Sequence, residues 1–341
     1  MTQGPVLVEI TRGTMVESSH CGHVAVVDHR GHLVSALGDP HQLIYPRSSL
    51  KFLQALPLIE TGAADAFELS DERLALACAS HSGEEAHAEK VRAWLQELGL
   101  GEEDLELGIA PPMSNRVALA HAQAGLPLTK AYNACSGKHA GFMTTALHLG
   151  EPVKGYSQAA HPVQQRVAAV LDDLTHRKTG DRENGIDGCN VPVWGVEIQE
   201  LAGIMAQFAR PSRVSTARAE AMTRLVSAVQ RHPWCLAGTH RFDTKIIELT
   251  AGAALVKMGA EGVHVGILPR LGLGVAIKIN DGAGRASEVA MATVLQKLGV
   301  FDGLDANQVT PLLLPEIQNQ VGLAVGEMRA TQALGAIGRS Q

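Results

Sequence analysis

The chain has 341 residues, 45% hydrophobic and 19% charged, with a formal net charge of −6. That length supports a large core, as one domain or two intimate ones, and the balance is that of a globular protein. An acidic chain with no basic cluster and only 4% aromatic residues excludes nucleic acid as an expected partner. The first residues, Met1-Thr2-Gln3-Gly4-Pro5, show no basic region ahead of an apolar run, so no secretory signal is expected. Apolar runs such as residues 251–256 are too short to span a bilayer. The expectation is a cytoplasmic protein with no membrane partner. The five cysteines, Cys21, Cys78, Cys135, Cys189 and Cys235, are odd in number. In a reducing compartment they read as buried thiols or metal ligands rather than disulfides.

Residues 6–10 read as a first strand, and residues 23–28 and 32–37 as two more. The turn Asp28-His29-Arg30-Gly31 makes that pair an antiparallel hairpin. A helical run follows over residues 50–60; a start at Ser48 would put Ser48 and Lys51 on one face. Ser70 is a candidate N-cap for a helix over residues 73–79. After the small-residue break Ser80-His81-Ser82-Gly83, residues 84–98 return to helix. There Val91, Trp94, Leu95 and Leu98 follow the i, i+3, i+4, i+7 spacing of a buried stripe. Residues 110–115 are a loop; residues 116–124, 142–149, 162–174, 198–208 and 215–231 are helices; residues 179–190 are polar, Gly-rich loop. Residues 253–257, 262–268 and 274–279 read as strands, residues 285–298 as a helix, and residues 319–329 as a short terminal segment. Strands thus lie at both ends with helices between them. That pattern predicts an α+β arrangement: one sheet built from both chain ends, with a helical region inserted.

Two constellations carry chemistry. In Tyr45-Pro46-Arg47-Ser48-Ser49-Leu50-Lys51, Ser48 and Lys51 are three residues apart, one turn on a helix face. A desolvated lysine amine can take the proton of a serine hydroxyl, as in the S-x-x-K acyl-transfer enzymes. Taken alone, the four residues read at least as readily as an N-cap serine followed by a solvated lysine. The second set is Cys135, Lys138, His139, Asp187 and Cys189. By residue type, two thiolates, an imidazole and a carboxylate suit tetrahedral zinc. They also suit two small buried hydrophobes and a loop histidine. Arg47 either pairs with a substrate carboxylate or is structural. Gly272-Leu273-Gly274 lacks a third glycine and is no dinucleotide fingerprint.

Ser80 and Lys257-Met258-Gly259 complete a series in the order of the serine β-lactamases and penicillin-binding proteins: nucleophile helix, second serine, lysine-bearing strand. The third motif departs from Lys-Thr-Gly, and no Ser-x-Asn occurs. Five stretches resemble another family more fully. They are Tyr45 to Lys51, Ala79-Ser80-His81-Ser82-Gly83-Glu84, Asn133-Ala134-Cys135-Ser136-Gly137-Lys138-His139, Asp187-Gly188-Cys189 and Lys257-Met258-Gly259-Ala260-Glu261-Gly262. Together, over about residues 8–329, they resemble the rhizobial-type, or class 3, L-asparaginases.

The resemblance implies a β-lactamase/penicillin-binding-protein-like fold, mainly an antiparallel sheet flanked by helices. It implies a single catalytic domain over residues 1–341, with an α/β part at about 1–60 and 250–341 and a helix-rich part at about 61–249. The implied activity is hydrolysis of L-asparagine to L-aspartate and ammonia, so the partner is a small-molecule substrate. Ser48 would be the nucleophile and Lys51 its activator, with Ser80 and Lys257 a second Ser–Lys pair. Arg47, His139 and Asp187 would serve substrate binding. Cys135, Lys138 and Cys189 would hold zinc, with water as a further ligand, aiding substrate binding rather than activating water. A homodimer is implied by the resemblance alone. The competing readings are a β-lactamase-like esterase or peptidase, and a non-catalytic zinc-binding module.

Overall fold

The structure, a computed structural model, describes residues 3–338. Its strands in chain order are β1 (Val6–Arg12), β2 (Met15–Asp28), β3 (Leu33–Leu37), β4 (Leu43–Ile44), β5 (Asn184–Ile186), β6 (Pro192–Trp194), β7 (Val196–Glu197), β8 (Leu255–Gly259), β9 (Val263–Leu268), β10 (Leu273–Ile279), β11 (Glu316–Gln318) and β12 (Ala324–Ala330). The chain packs as two compact units. One runs up to Ser49, includes Gly195–Arg213 and resumes at Leu249; the other is Leu50–Trp194 with Val214–Glu248.

In the strand unit, an eight-stranded antiparallel sheet runs β11-β12-β1-β2-β10-β9-β8, with β3 paired to β2. The long strand β2 joins its two halves. His20 sits opposite Val8 of β1, while Val26 sits opposite Val275 of β10. Every residue of β9 and of β10 is buried, so both sheet faces are covered there. Gly274 and Val275 point to opposite faces. A Cβ on Gly274 would lie 2.1 Å from the Ala202 carbonyl oxygen, so helix Ile198–Ala209 rests directly on that strand. Gly266, opposite Val275, faces Met291 of helix Gly284–Lys297 on the other side. The missing side chain at Gly274 is therefore why residues 195–213 pack with the strands although the surrounding sequence is helical.

The helical unit is organised around helix Ser136–His148, whose residues 136–146 are all buried. Helices Leu56–Glu60, Ala63–Ala66, Asp71–Ala77, Glu85–Glu97 and Pro162–Thr175 pack around it. It is enclosed on all sides, carries Gly137 and Gly141 at its contacts, and buries Lys138 and His139 among its apolar and small residues. A Cβ on Gly137 would meet the Leu76 carbonyl oxygen at 2.4 Å. Only glycine lets the end of helix Asp71–Ala77 approach so closely.

Several elements differ from the sequence reading. The turn at Arg47–Leu50 is a 3-10 helix, and the α-helix starts at Lys51, breaks at Ala55 and resumes with Pro57 in its first turn. Residues 179–190 include β5, whose three residues pair with Pro192 to Trp194; a strand that short has no readable period. Residues 319–329 include most of β12, which pairs with β1. Helix Ala306–Leu313 was hidden by Pro311 inside it. Leu98 caps its helix half-buried, whereas Val91, Trp94 and Leu95 are fully buried. Among the described residues no helix is long and apolar enough to cross a membrane.

Candidate active site

Lys51 opens its helix with 0% of its surface exposed. Its amine donates to Ser80 Oγ at 3.0 Å, to Cys135 Sγ at 3.2 Å, to the Ala134 carbonyl at 3.5 Å, and to the Ala79 carbonyl. Each acceptor is held by its own local structure. The Ser80 N–H donates to Leu236 O at 3.0 Å and the Ser82 N–H to Ala237 O at 2.8 Å, so the break after helix Asp71–Ala77 lies extended along residues 236–237. The Cys135 N–H donates to Asn133 Oδ1 at 2.9 Å, and Asn133 Nδ2 donates to Gly108 O at 2.8 Å. The asparagine of the Asn-Ala-Cys-Ser-Gly-Lys-His stretch thus shapes the entry to helix Ser136–His148.

One turn into that helix, Lys138 is 2% exposed and donates to Cys189 Sγ at 3.0 Å. Its ammonium also lies 5.8 Å from the centre of the Phe142 ring. Cys189 arrives on a tight turn, in which the Asn190 N–H donates to Asp187 O and the Asp187 N–H to Val191 O, both at 2.8 Å. Asn190 adopts φ 70°, which closes the turn.

The thiols interact with each other. A hydrogen bond from Cys189, then the amines of Lys51 and Lys138, hold the Cys135 thiol well below its ordinary pKa against the opposing effect of burial. Cys189 is pushed up, first by sharing its proton with Cys135 and then by burial. Burial alone would lower Lys138; Cys189, Cys135 and Asp187 outweigh it and hold the ammonium above its ordinary value.

The histidines nearby are committed. The Gly83 N–H donates to His81 Nδ1 at 3.2 Å, so His81 Nε2 carries the proton and donates to Ser136 Oγ at 2.9 Å. Burial, then His87 and Lys51, keep His81 neutral. Both its ring nitrogens are engaged, which leaves it no lone pair for a serine. His139 is buried and is held well below its ordinary pKa by burial, then by Lys138 and Lys51.

The strand unit holds the other predicted residues. Ser48 is half-buried in the Arg47–Leu50 turn. Arg47 before it adopts φ 53°, a left-handed conformation costing a side-chain-bearing residue of order 1 kcal/mol. Ser49 Oγ and N–H both donate to the Pro46 carbonyl, at 2.7 and 3.3 Å. A Cβ on Gly259 would lie 2.7 Å from that same carbonyl oxygen and 3.2 Å from Ser49 N. The end of β8 therefore abuts the turn that carries Ser48. Lys257, two residues earlier, shares a sheet face with Gly259, is 1% exposed, and donates to Met258 O at 2.8 Å. This accounts physically for the glycine of Lys257-Met258-Gly259. Nothing in it requires a hydroxyl at position 258.

The helical unit thus brings together Lys51, Ser80, Cys135, Lys138 and Cys189, with Asp187 and His139 beside them. The strand unit holds Arg47 and Ser48 on the turn that Gly259 abuts, with Lys257 two residues before that glycine. The hydrogen bond to Ser80 from its own unit comes from Lys51. Sequence reading missed the Ala79 and Ala134 carbonyls, which carry no side-chain signal, and Tyr156, which lies outside every motif. A cavity of about 1130 Å³ opens beside the Cys189 turn, lined among others by Glu106, Ser157, Asn190 and Trp194. None of the predicted site residues is among its lining.

Comparison with known proteins then places the chain. A sequence model of the L-asparaginase II family matches residues 8–330. The chain belongs to that family. It is accordingly an amidohydrolase of the L-asparaginase II family. A search of curated proteins returns no match. Among solved structures, a β-lactamase from Mycobacterium bovis is similar at 13% identity and TM-score 0.40, covering 78% of this chain and 89% of that one. A D-alanine carboxypeptidase from Burkholderia cenocepacia is similar at 13% identity and TM-score 0.40, covering 79% and 90%. A β-lactamase/D-alanine carboxypeptidase from Pseudomonas syringae shows the same identity and score, covering 80% and 92%.

The metal expectation can be set against the donors present. Among the described residues no three His, Cys, Asp or Glu side chains converge as a metal cluster. A zinc site here therefore depends on the Lys138 amine as third donor beside Cys135 and Cys189. Two sulfurs and one amine nitrogen suit three positions of a tetrahedral zinc only with Lys138 deprotonated, whereas here Cys189, Cys135 and Asp187 hold its ammonium above the ordinary value.

One consequence concerns acid stability. His87 is buried, stacks on Trp234 at 3.8 Å and on His81 at 4.8 Å, and donates from Nε2 to Trp234 O at 3.2 Å. Burial, only partly offset by that hydrogen bond and by Glu84, pushes its pKa down to about 4. The folded value lies below the unfolded one, so its contribution is fully present above about pH 6.5 and is lost as pH falls towards 4. Denaturant titrations should show stability falling by at most about 3 kcal/mol from this group across that window, with His81 adding in the same direction. His87→Gln should flatten the slope; an unchanged slope would refute the assignment.

Proposed function

We propose that this protein is an L-asparaginase, hydrolysing L-asparagine to L-aspartate and ammonia through an acyl-enzyme on Ser48. Family membership supports the reaction class. The observation that carries the mechanism is the fully buried Lys51 amine, three residues after Ser48 and hydrogen-bonded to Ser80. In this reading Lys51 takes the Ser48 proton as Oγ attacks the side-chain amide carbon. The oxyanion is met by backbone N–H groups of the Arg47–Leu50 turn, that of Ser48 among them. Lys51 passes that proton to the departing amide nitrogen, so collapse releases ammonia, leaves an aspartyl ester on Ser48 and restores the free amine. Water then attacks the ester, Lys51 taking a proton from it and delivering it to Oγ as the ester bond breaks, and L-aspartate leaves. Ser80 and Lys257 are proposed to continue the proton relay, and Arg47, His139 and Asp187 to bind the substrate's charged ends. The strain at Arg47 supports a functional turn there, since such conformations persist where surrounding structure enforces them.

Nucleophile and base acting as one unit make losses non-additive. Ser48→Ala should lower kcat on L-asparagine by roughly 10⁴-fold or more, Lys51→Met by a similar factor, and the double variant by little more than either. Circular dichroism must show each variant folded. A double variant whose loss is the product of the single losses would show the two residues working independently.

We further propose that Cys135, Lys138 and Cys189 hold zinc. Bound zinc would supply positive charge for binding the substrate's carboxylate. Cys135 also accepts from Lys51, so its substitution disturbs both groups; Cys189 is the cleaner probe. Cys189→Ser should lower zinc content by elemental analysis and raise KM about tenfold or more while kcat changes less. Zinc retained in full by Cys189→Ser, or absent from the wild-type protein, would remove the metal from this reading.

A further inference from the structure

Tyr156 is fully buried, and its hydroxyl stands between two groups. The Glu106 N–H donates to Tyr156 Oη at 2.8 Å, and Oη lies 2.7 Å from His139 Nδ1. The arrangement is rigid. The Glu106 carboxylate accepts from the N–H of Gly155 at 2.5 Å, from the N–H of Ser157 at 3.0 Å and from Ser157 Oγ at 2.7 Å, clamping the tyrosine's own turn. The His139 ring also meets Tyr156 and Phe142 edge-on, at 5.4 and 6.0 Å between centroids.

These contacts decide where the imidazole proton sits. The Glu106 N–H can only donate, so it occupies a lone pair of the phenol oxygen. Were the histidine proton on Nδ1, it too would point at that oxygen. The phenol proton and Nε2 would then both be buried without partners. With Nδ1 accepting the phenol proton, only the Nε2–H remains. His139 Nε2 is buried with no hydrogen-bond partner among the described residues. A buried unpaired donor is costly, and such groups recur where a ligand completes the bond.

We propose that Tyr156 is a positioning residue: it fixes His139 as the Nε2–H tautomer, a neutral donor held ready for an acceptor-only group of the substrate. Resting on the L-asparaginase reading above, that group is the α-carboxylate. The amine of L-asparagine donates, and its amide oxygen belongs to the reacting carbonyl.

The test is a long-range ¹H–¹⁵N spectrum of the full chain labelled at histidine, without substrate. The His139 signals are assigned by their loss in His139→Gln. The wild type should show a pyrrole-type Nε2 and a pyridine-type Nδ1. Tyr156→Phe should shift population to the Nδ1–H tautomer and raise KM for L-asparagine about tenfold, with kcat changed less than about twofold. His139→Gln, whose amide presents an N–H near the Nε2 position, should keep KM within about threefold, whereas His139→Leu should lose about tenfold or more. A wild-type proton on Nδ1, or a tautomer unmoved in Tyr156→Phe, overturns the proposal. A shifted tautomer with unchanged KM overturns its role in binding. Because the spectrum needs no turnover, a protein inactive on L-asparagine would defeat the L-asparaginase reading while the tautomer was still read.

Discussion

A lysine with no exposed surface must have acceptors brought to it, and much of the helical unit is arranged to bring them to Lys51. A buried polar or charged group left unpaired costs several kcal/mol, so the amine ties together segments far apart in the chain. Ala79 and Ser80 come from the end of one helix, and Ala134 and Cys135 from the entry to another. The close approach permitted by Gly137 sets those two helices against each other. Replacing that glycine would push the Leu76 carbonyl away and displace acceptors of the buried amine, although residue 137 has no chemistry of its own.

The same residues connect two chemistries. Lys51 and Lys138 each donate to a sulfur, and the two thiols shift one another's pKa in opposite directions. The proposed base and the proposed metal ligands are therefore one electrostatic group. Cys135 is the link, since it faces Lys51 and interacts with Cys189 and Lys138. Any change in its charge is felt by the amine next to Ser80. The neighbouring histidines are held neutral by burial and by these amines, and His81 has both nitrogens engaged. The polar interior thus favours a lysine over His81 as the base.

Much of this was legible in the sequence, for definable reasons. Alternation of residue type over residues 262–268 and 274–279 and the hairpin turn at residues 28–31 pointed to a sheet from both ends, although every residue of β9 and β10 is buried and the alternation is not one of exposure. The Ser48–Lys51 spacing and the cysteine, lysine and histidine stretches marked the site residues. Carbonyl acceptors left no trace, since Ala79 and Ala134 act through their backbones. Gly137, Gly259 and Gly274 were visible as glycines, but what each lies against depends on distant chain. Tyr156 was invisible because its role rests on a backbone N–H contributed by Glu106, some 50 residues away. Membership of the L-asparaginase II family gives the reaction class; the roles proposed for individual side chains rest on local geometry.

The central claim is a covalent aspartyl ester on Ser48. Acid quenching during turnover of L-asparagine, followed by proteolysis and mass spectrometry, tests it directly. The account predicts an aspartyl adduct on the peptide containing Ser48, absent without substrate and absent in Ser48→Ala. Rapid hydrolysis of L-asparagine with no adduct on any peptide at the earliest quench times, and full activity retained in Ser48→Ala, would contradict it.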